Sequence, residues 1–201
     1  MFRGFIAVEV KPSPETLENR NFSKSGRNAV SPTILSFIRD LEKCGADLKV
    51  VKPENIHITL KFLGDTDEAK IGAIKQSIQS AAAGIAPFEA QFKGAGVFPN
   101  PKFVRVVWVG IEGAEALAQI AGKLEDLLAP LGFEKEKRAF SAHLTVARVR
   151  SPRGIEKLAP VLEKYKNADF GALPVAEIKL KRSVLSREGP TYSDMEVVKL
   201  G

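Results

Sequence analysis

Two short frames, HITL at residues 57–60 and HLTV at residues 143–146, contain the only two histidines of the chain. In each frame a threonine follows two positions after the histidine, and apolar residues occupy the other two positions. Because side chains alternate between the two faces of a β-strand, each histidine would share a face with its threonine while the apolar residues enter a core. Two such strands facing one cleft would present two imidazoles and two hydroxyl groups to one ligand.

This set of groups suits the chemistry of phosphate esters. Imidazole titrates near neutral pH, so one of His57 and His143 can act as general base while the other, protonated, acts as general acid. The hydroxyls of Thr59 and Thr145 can donate hydrogen bonds to non-bridging phosphate oxygens. On a 2′,3′-cyclic phosphate, the base would deprotonate water and the acid would protonate the leaving ribose oxygen. These four side chains can transfer the protons and stabilise the negative charge of the phosphate oxygens, so we expect no metal ion and no cofactor.

Other chemistries fit the sequence less well. Two histidines with one distant cysteine, Cys44, and no HExxH motif are a weak ligand set for zinc. No G-x-S-x-G motif supports a serine nucleophile. A single His-x-Thr strand is most often structural, but two instances that use both histidines favour catalysis.

The hydrophobic pattern predicts strands and helices that would position both frames. The order of strand, helix, strand, helix and further strands occurs twice, with one frame in each half, and so indicates an internal duplication. The polar stretch from 11 to 32 is predicted to be a loop. Helices are predicted over TILSFIRDLEKCGA, residues 67–83, residues 114–131 and SPRGIEKLAPVLEKYKN, and strands over FRGFIAVEV, LKVV, HITLKFLG, FEAQFKGAGVFPN, FVRVVWVGI, FSAHLTVARVR, VAEIKLKRSVL and TYSDMEVVKL.

The composition is that of an ordinary soluble globular protein, with 44% apolar and 27% charged residues. A net charge of +6 favours phosphate-bearing partners such as RNA. No window approaches the ~20 apolar residues of a membrane span. We therefore expect residues 1–201 to form one bilobal domain of a cytoplasmic, monomeric protein that has no membrane partner.

Several further blocks resemble a known family, in the same order along the chain. FRGFIAVEV, NIHITLKFLGD, GAGVFPNPKFVRVVWVG, FSAHLTVARV and LKRSVLSREGPTY resemble the RNA 2′,3′-cyclic phosphodiesterases, or 2′-5′ RNA ligase family, of the two-histidine phosphoesterase superfamily. The resemblance covers nearly the whole chain. It implies an α+β, bilobal fold: two pseudo-symmetric lobes, each with an antiparallel sheet and flanking helices, around a central V-shaped, basic cleft. The sequence departs from the family at Ala142, where proline is usual, and in the long stretch NRNFSKSGRNAV.

The resemblance also implies roles for individual residues. His57 and His143 match the catalytic histidines, and Thr59 and Thr145 match the phosphate-binding threonines. We assign His143 as base and His57 as acid, but the near symmetry of the frames leaves the reverse assignment open. Arg148 matches an arginine that would bind a phosphate oxygen, although regular alternation would point it away from His143. A bulge or a strand end would be needed to bring it back.

Three residues beside the frames carry weaker signals. Phe140 is expected to stack on a nucleobase. Phe62 has the strand parity of the core residues, so core packing is expected for it. Lys61 shares the parity of His57, but a lysine at that position is expected to be solvated.

The expected substrate is RNA that ends in a 2′,3′-cyclic phosphate, tRNA halves among them, hydrolysed to a 2′-phosphate. Ligation of 2′-5′ junctions is the same chemistry in reverse. Two alternatives stay open: an RNA-end binding module without catalysis, and a phosphodiesterase of a small cyclic nucleotide.

Overall fold

Helices and antiparallel strands alternate along the computed structural model, which describes residues 1–10, 32–186 and 189–201. The predicted loop before the first helix therefore lies almost wholly outside the described residues. The strands are β1 (Phe2–Glu9), β2 (Leu48–Val50), β3 (His57–Thr66), β4 (Phe88–Asn100), β5 (Phe103–Glu112), β6 (His143–Val149), β7 (Asp169–Val175), β8 (Glu177–Ser186) and β9 (Gly189–Lys199). The α-helices are α1 (Pro32–Lys43), α2 (Ile71–Ala82), α3 (Glu115–Leu128) and α4 (Leu158–Tyr165).

The strands form two antiparallel halves that meet at the two histidine strands. The sheet order is β7-β4-β5-β6-β3-β1-β8-β9, with β2 added beside the far end of β6. Strands β3 and β6 are joined at one residue pair, Ile58 with Leu144, so the sheet passes from one half to the other where the histidine frames lie. Helices α1 and α4 pack against the β4–β7 half, and α2 and α3 against the β1–β3 and β8–β9 half. The fold prediction of two similar α+β lobes is confirmed.

Apolar side chains at helical spacing hold each helix on its sheet. In α1 the predicted face of Ile34, Phe37, Ile38 and Leu41 is buried. Burial of each large apolar side chain contributes about 1.5–3 kcal/mol, which makes this face the main source of helix attachment. The opposite face of the sheet, which carries the histidines, is left for polar and aromatic groups.

Strands β3 and β6 each contain a β-bulge three residues after the histidine. The register of β1 with β3 shifts at Leu60, and that of β5 with β6 shifts at Val146. Two consecutive side chains in each strand are consequently buried, and the alternation is reversed beyond them. The fifth residue after each histidine therefore returns to the histidine face.

The elements differ from the predicted ones at three places. Strand β7 was not predicted, because Gly171 and Pro174 weaken its strand pattern; it lies at the edge of the sheet, where proline is tolerated. Helix α4 begins at Leu158, later than the serine at which a helix was predicted, and β6 begins at His143 rather than at Phe140. Within the described ranges, no helix is long and apolar enough to cross a membrane.

Candidate active site

The two histidine frames lie side by side where β3 meets β6. Because Ile58 pairs with Leu144 in an antiparallel register, His57 lies opposite Thr145 and Thr59 lies opposite His143. Ile58 and Leu144 are fully buried, while the other four side chains share the opposite face and are half-buried. Directly opposite residues on a sheet have Cβ atoms about 5 Å apart, and diagonal neighbours are about 7–8 Å apart. Side chains at those separations can all reach one phosphate group.

A backbone carbonyl fixes the tautomer of each imidazole. The Nδ1 atom of His57 lies 2.8 Å from the carbonyl oxygen of Asn55, and Nδ1 of His143 lies 2.7 Å from that of Ser141. A carbonyl oxygen can only accept, so Nδ1 must carry the proton in both rings. This leaves Nε2 of each neutral ring with a free lone pair, which is the form a general base requires.

The surroundings of both rings favour the neutral imidazole. Burial lowers the pKa of His57 below its usual value, the hydrogen bond to Asn55 opposes that effect, and the charges of Lys181 and Arg148 lower the pKa further. Burial likewise lowers the pKa of His143, opposed by the bond to Ser141 and assisted by Arg148. Arg148 thus acts electrostatically on both histidines.

The bulge in β6 brings Arg148 to the histidine face. Val146 and Ala147 are both buried, and Arg148 beyond them is exposed and lines the same cavity as His57. Arg148 was expected to reach the histidine face only through a bulge or a strand end, and β6 contains that bulge. Arg148 lies opposite Lys49 of β2, so two cations stand side by side at this point.

Aromatic rings surround the imidazoles and limit their rotation. The ring of His57 lies 4.9 Å from that of Phe5 and 5.2 Å, edge-on, from that of Tyr192. The ring of His143 meets Phe98 edge-on at 5.0 Å. Tyr192 lies at the end of the block LKRSVLSREGPTY that resembles the family. The other two rings lie on strands far from the frames in sequence, and strand alternation alone does not identify them.

A cavity of about 740 Å³ opens beside His57. Its described lining residues include no aspartate or glutamate, and none of its five cations is ion-paired to a described carboxylate. Apolar and aromatic side chains, among them Phe5, Phe62 and Tyr192, form much of the remaining wall. The cations are Arg3, Lys49, Lys52, Arg148 and Arg150.

A buried group of four charges lies on the same face beside His57. Lys179 and Lys181 each contact both Glu9 and Asp194, and the two lysines are 3% and 4% exposed. Glu9 pairs across the strands with His57. Burial opposes ionisation of Glu9, but hydrogen bonds and charges of the two lysines outweigh it and lower the pKa of Glu9 to about 2. Lys179 and Lys181 belong to the segment KLK, and lysines that alternate with an apolar residue are typical of the solvent-facing side of a strand. The buried charge group was therefore not predicted.

Two expectations about the first frame are wrong, and the bulge in β3 explains both. Lys61 is 2% exposed rather than solvated, and its Nζ donates to Glu125 Oε2 at 2.6 Å and to the carbonyl of Glu134. Phe62 is not in the core but 57% exposed, on the wall of the cavity. Both predictions assumed unbroken alternation, which the extra residue at Leu60 reverses.

Phe140 lies apart from the cavity beside His57. It is half-buried, packs against the core, and lines a separate depression with Ser141 and Ala142. In the described part of the chain, no three His, Cys, Asp or Glu side chains cluster as a metal site would require.

Comparisons with known proteins identify the family of the chain. The model of the 2′-5′ RNA ligase superfamily matches residues 31–184. The chain is 43% identical over 167 residues to the RNA 2′,3′-cyclic phosphodiesterase of Methanothermobacter thermautotrophicus, covering 83% of this chain and 90% of that protein. It is 37% identical over 182 residues to the protein of the same name from Aquifex aeolicus, covering 90% and 94%.

Solved structures have the same fold. The protein TT0787 of Thermus thermophilus superposes with a TM-score of 0.74 at 26% identity, covering 98% of this chain and 97% of that one. Escherichia coli LigT, solved with 3′-AMP, gives a TM-score of 0.67 at 21% identity over 99% and 98% of the two chains, which shows the shared fold alone. The protein therefore belongs to the 2′-5′ RNA ligase superfamily.

Proposed function

We propose that this protein is an RNA 2′,3′-cyclic phosphodiesterase that hydrolyses the cyclic phosphate at an RNA end to a 2′-phosphate. The observation that carries the proposal is the position of two imidazole–hydroxyl pairs across the β3–β6 junction, close enough to share one phosphorus atom. The names of the relatives from Methanothermobacter and Aquifex support the reaction class.

In the proposed reaction, His143 takes a proton from water at Nε2 while the water oxygen attacks phosphorus. The bond from phosphorus to the ribose 3′ oxygen breaks, and His57 donates its Nε2 proton to that oxygen. The product carries a 2′-phosphate and a 3′-hydroxyl, and the histidines exchange their protons with solvent before the next cycle. Thr59, Thr145 and Arg148 stabilise the charge on the non-bridging oxygens, and the reaction requires no metal ion.

The cavity supports this division of roles. The attacking and leaving oxygens lie on opposite sides of phosphorus, and the leaving oxygen belongs to the nucleoside. His57 lines the cavity that has room for a nucleoside, whereas His143 is not among the described residues that line it. His57 would therefore face the leaving oxygen. In the reverse direction, a ribose hydroxyl in place of water would give ligation at a 2′-5′ junction.

The cavity also favours RNA over a small cyclic nucleotide. A cyclic mononucleotide carries one negative charge, whereas five cations without a described carboxylate suit a chain of phosphates. RNA that ends in a 2′,3′-cyclic phosphate, such as a tRNA half, is thus the proposed substrate class.

The test is an assay of such an RNA in the presence of EDTA, with identification of the product terminus. We expect a 2′-phosphate, and we expect His57→Ala and His143→Ala each to lower kcat about 100- to 10,000-fold while the melting temperature stays near that of the wild type. A 3′-phosphate product, loss of turnover with EDTA, or near-normal kcat in either variant would contradict the proposal. Binding without turnover would indicate an RNA-end binding module instead.

A further inference from the structure

The two histidine strands differ in the residue that lies directly opposite each imidazole. Glu9 of β1 pairs with His57, whereas Gly110 of β5 pairs with His143. Directly opposite residues of an antiparallel pair point to the same face of the sheet, with Cβ atoms about 5 Å apart. A Cβ atom added at Gly110 would lie 2.7 Å from the carbonyl oxygen of Lys93, so the backbone leaves no room for a side chain there. One histidine therefore has a carboxylate as its cross-strand neighbour, and the other has a glycine.

Two lysines of β8 hold the Glu9 carboxylate on the histidine face. Lys179 Nζ lies 2.7 Å from Glu9 Oε2, and Lys181 Nζ lies 2.9 Å from Glu9 Oε1. Both lysines also contact Asp194 of β9, so each carboxylate bridges the same two cations. Burial opposes ionisation of Glu9, but the two lysines outweigh it and lower the pKa of Glu9 to about 2. Glu9 therefore keeps its negative charge beside His57 throughout the pH range of an activity assay.

The effect of this group on His57 depends on the balance of its charges. The charge cluster consists of Glu9, Lys179, Lys181 and Asp194. Glu177, a more exposed carboxylate at its edge, lies 3.4 Å from Lys179. Because positive and negative groups alternate in the cluster, their effects on His57 oppose one another. Loss of Glu9 would make the cluster more positive by one charge, and loss of Lys181 would make it more negative by one charge.

The charge cluster acts on one of the two histidines. In the described part of the chain, the titratable and charged groups that face His57 are Glu9 of β1, Lys179 and Lys181 of β8, Tyr192 and Asp194 of β9, and His143 and Arg148 of β6. The other cations of the cavity wall are exposed, so solvent screens their charges. Burial lowers the pKa of both imidazoles, and Arg148 lowers both further. Glu9 opposes this effect at His57, and no described carboxylate does so at His143.

We propose that Glu9 is a positioning residue that assigns the role of general acid to His57. The inference rests on the proposed function, in which one imidazole must be protonated while the other is neutral. Glu9 stabilises the imidazolium form of His57, and the lysines limit that stabilisation, so His57 can still release its proton to the leaving oxygen. His143 lies opposite a glycine and stays neutral, as a base requires. The carboxylate thus breaks the near symmetry of the two frames.

The first test measures the pKa of each imidazole by NMR, in protein labelled with ¹⁵N in histidine. We expect the pKa of His57 to fall in Glu9→Gln and to rise in Lys181→Met, because the two substitutions change the charge of the cluster in opposite directions. The pKa of His143 should move less in both variants. If Glu9→Gln does not fold, Asp194→Asn removes the other carboxylate of the cluster and should shift His57 in the same direction. Shifts of His57 with the same sign in the carboxylate and lysine variants, or no shift in either, would overturn the inference.

The second test measures kcat/KM against pH on a short RNA that ends in a 2′,3′-cyclic phosphate. The alkaline limb depends on the protonated fraction of the acid, and the acidic limb depends on the unprotonated fraction of the base. Glu9→Gln should lower kcat/KM on the alkaline limb about three- to tenfold and leave the acidic limb unchanged. Lys181→Met should raise the alkaline limb, and Glu9→Asp, which keeps the charge, should restore it. An equal loss at every pH, or a change confined to the acidic limb, would contradict the assignment of the acid by Glu9.

The matched control is Glu196→Gln. Glu196 lies on the same strand as Asp194, but it contacts Lys75 of α2 at 2.8 Å and pairs across the strands with the core residue Leu180. Its substitution removes a carboxylate from the opposite face of β9 and should change neither the histidine pKa values nor the pH profile. The NMR measurement needs no turnover. If the wild type does not turn over the RNA, the proposed function fails, and the signs of the His57 shifts still test the effect of Glu9.

Discussion

At the scale of single residues, the chemistry depends on two imidazoles whose Nδ1 atoms are held by backbone carbonyls. The carbonyls of Asn55 and Ser141 leave Nε2 of each ring for proton transfer. Burial and the nearby Arg148 hold the pKa of both rings below the usual value near 6.5. The unliganded protein is therefore prepared to supply a neutral base at neutral pH.

The pH dependence of kcat/KM follows from these shifts. The base must be unprotonated, so the rate falls as pH drops through its pKa, and the acid must be protonated, so the rate falls again at high pH. We expect a bell-shaped profile whose acidic limb lies below pH 6.5, because burial lowers the pKa of the base. The measurement is kcat/KM on a short RNA between about pH 4.5 and 9 at constant ionic strength.

Arg148→Met provides the comparison for this profile. Removal of the cation should raise the pKa of both histidines and move the acidic limb to higher pH, in addition to a loss of rate from weaker phosphate binding. A kcat/KM that does not vary with pH, or an acidic limb at the same pH in Arg148→Met as in the wild type, would contradict this electrostatic account.

At the scale of elements, strand alternation predicted much of the site, but the bulges could not be predicted. Alternation placed His57 with Thr59 and His143 with Thr145, because the apolar residues of both frames enter a core. The extra residue in each strand depends on pairing with β1 and β5, which lie far away in sequence. Predictions made beyond that point, for Lys61 and Phe62, were consequently wrong, and only the family resemblance brought Arg148 to attention.

The charge cluster joins β1, β8 and β9, and Glu9 is its point of contact with the histidine strand. Loss of the Glu9 carboxylate leaves the two buried lysines to share Asp194, so their charges are only partly compensated. Because the Glu9 side chain is 18% exposed, we expect Glu9→Gln to lower the free energy of unfolding at pH 7 by about 2 kcal/mol, less than for a fully buried pair. Urea unfolding measures the change.

The pH dependence and a surface control complete this test. The pKa of Glu9 is lowered to about 2 by the fold, so its contribution is present above its unfolded pKa, about 4.3, and is lost as pH falls towards 2. The wild-type advantage over Glu9→Gln should shrink over that interval. Glu112→Gln removes a surface pair with Lys93, in which the glutamate is 60% exposed, and should cost no more than about 0.5 kcal/mol. Equal losses in the two variants would contradict the role given to the cluster.

At the scale of the whole molecule, neither lobe contains a complete site. One lobe supplies His57 and Thr59, the other supplies His143 and Thr145, and a single backbone pair joins the two strands. The duplicated order of elements predicted this arrangement. The cavity beside His57 was not predicted, because it depends on how β2 and the β8–β9 hairpin close around the histidine strands.

The most direct test of the central claim is an NMR titration of the two histidines with one phosphate ligand. The chain contains two histidines, so a sample labelled with ¹⁵N in histidine gives signals from two rings. On addition of a nucleoside 2′-monophosphate, we expect both Nε2 signals to shift along one binding curve with a stoichiometry of one. The pKa of both rings should rise, because the phosphate charge stabilises imidazolium. A response from one ring alone, or two curves with different midpoints, would show that the histidines do not share one phosphorus atom.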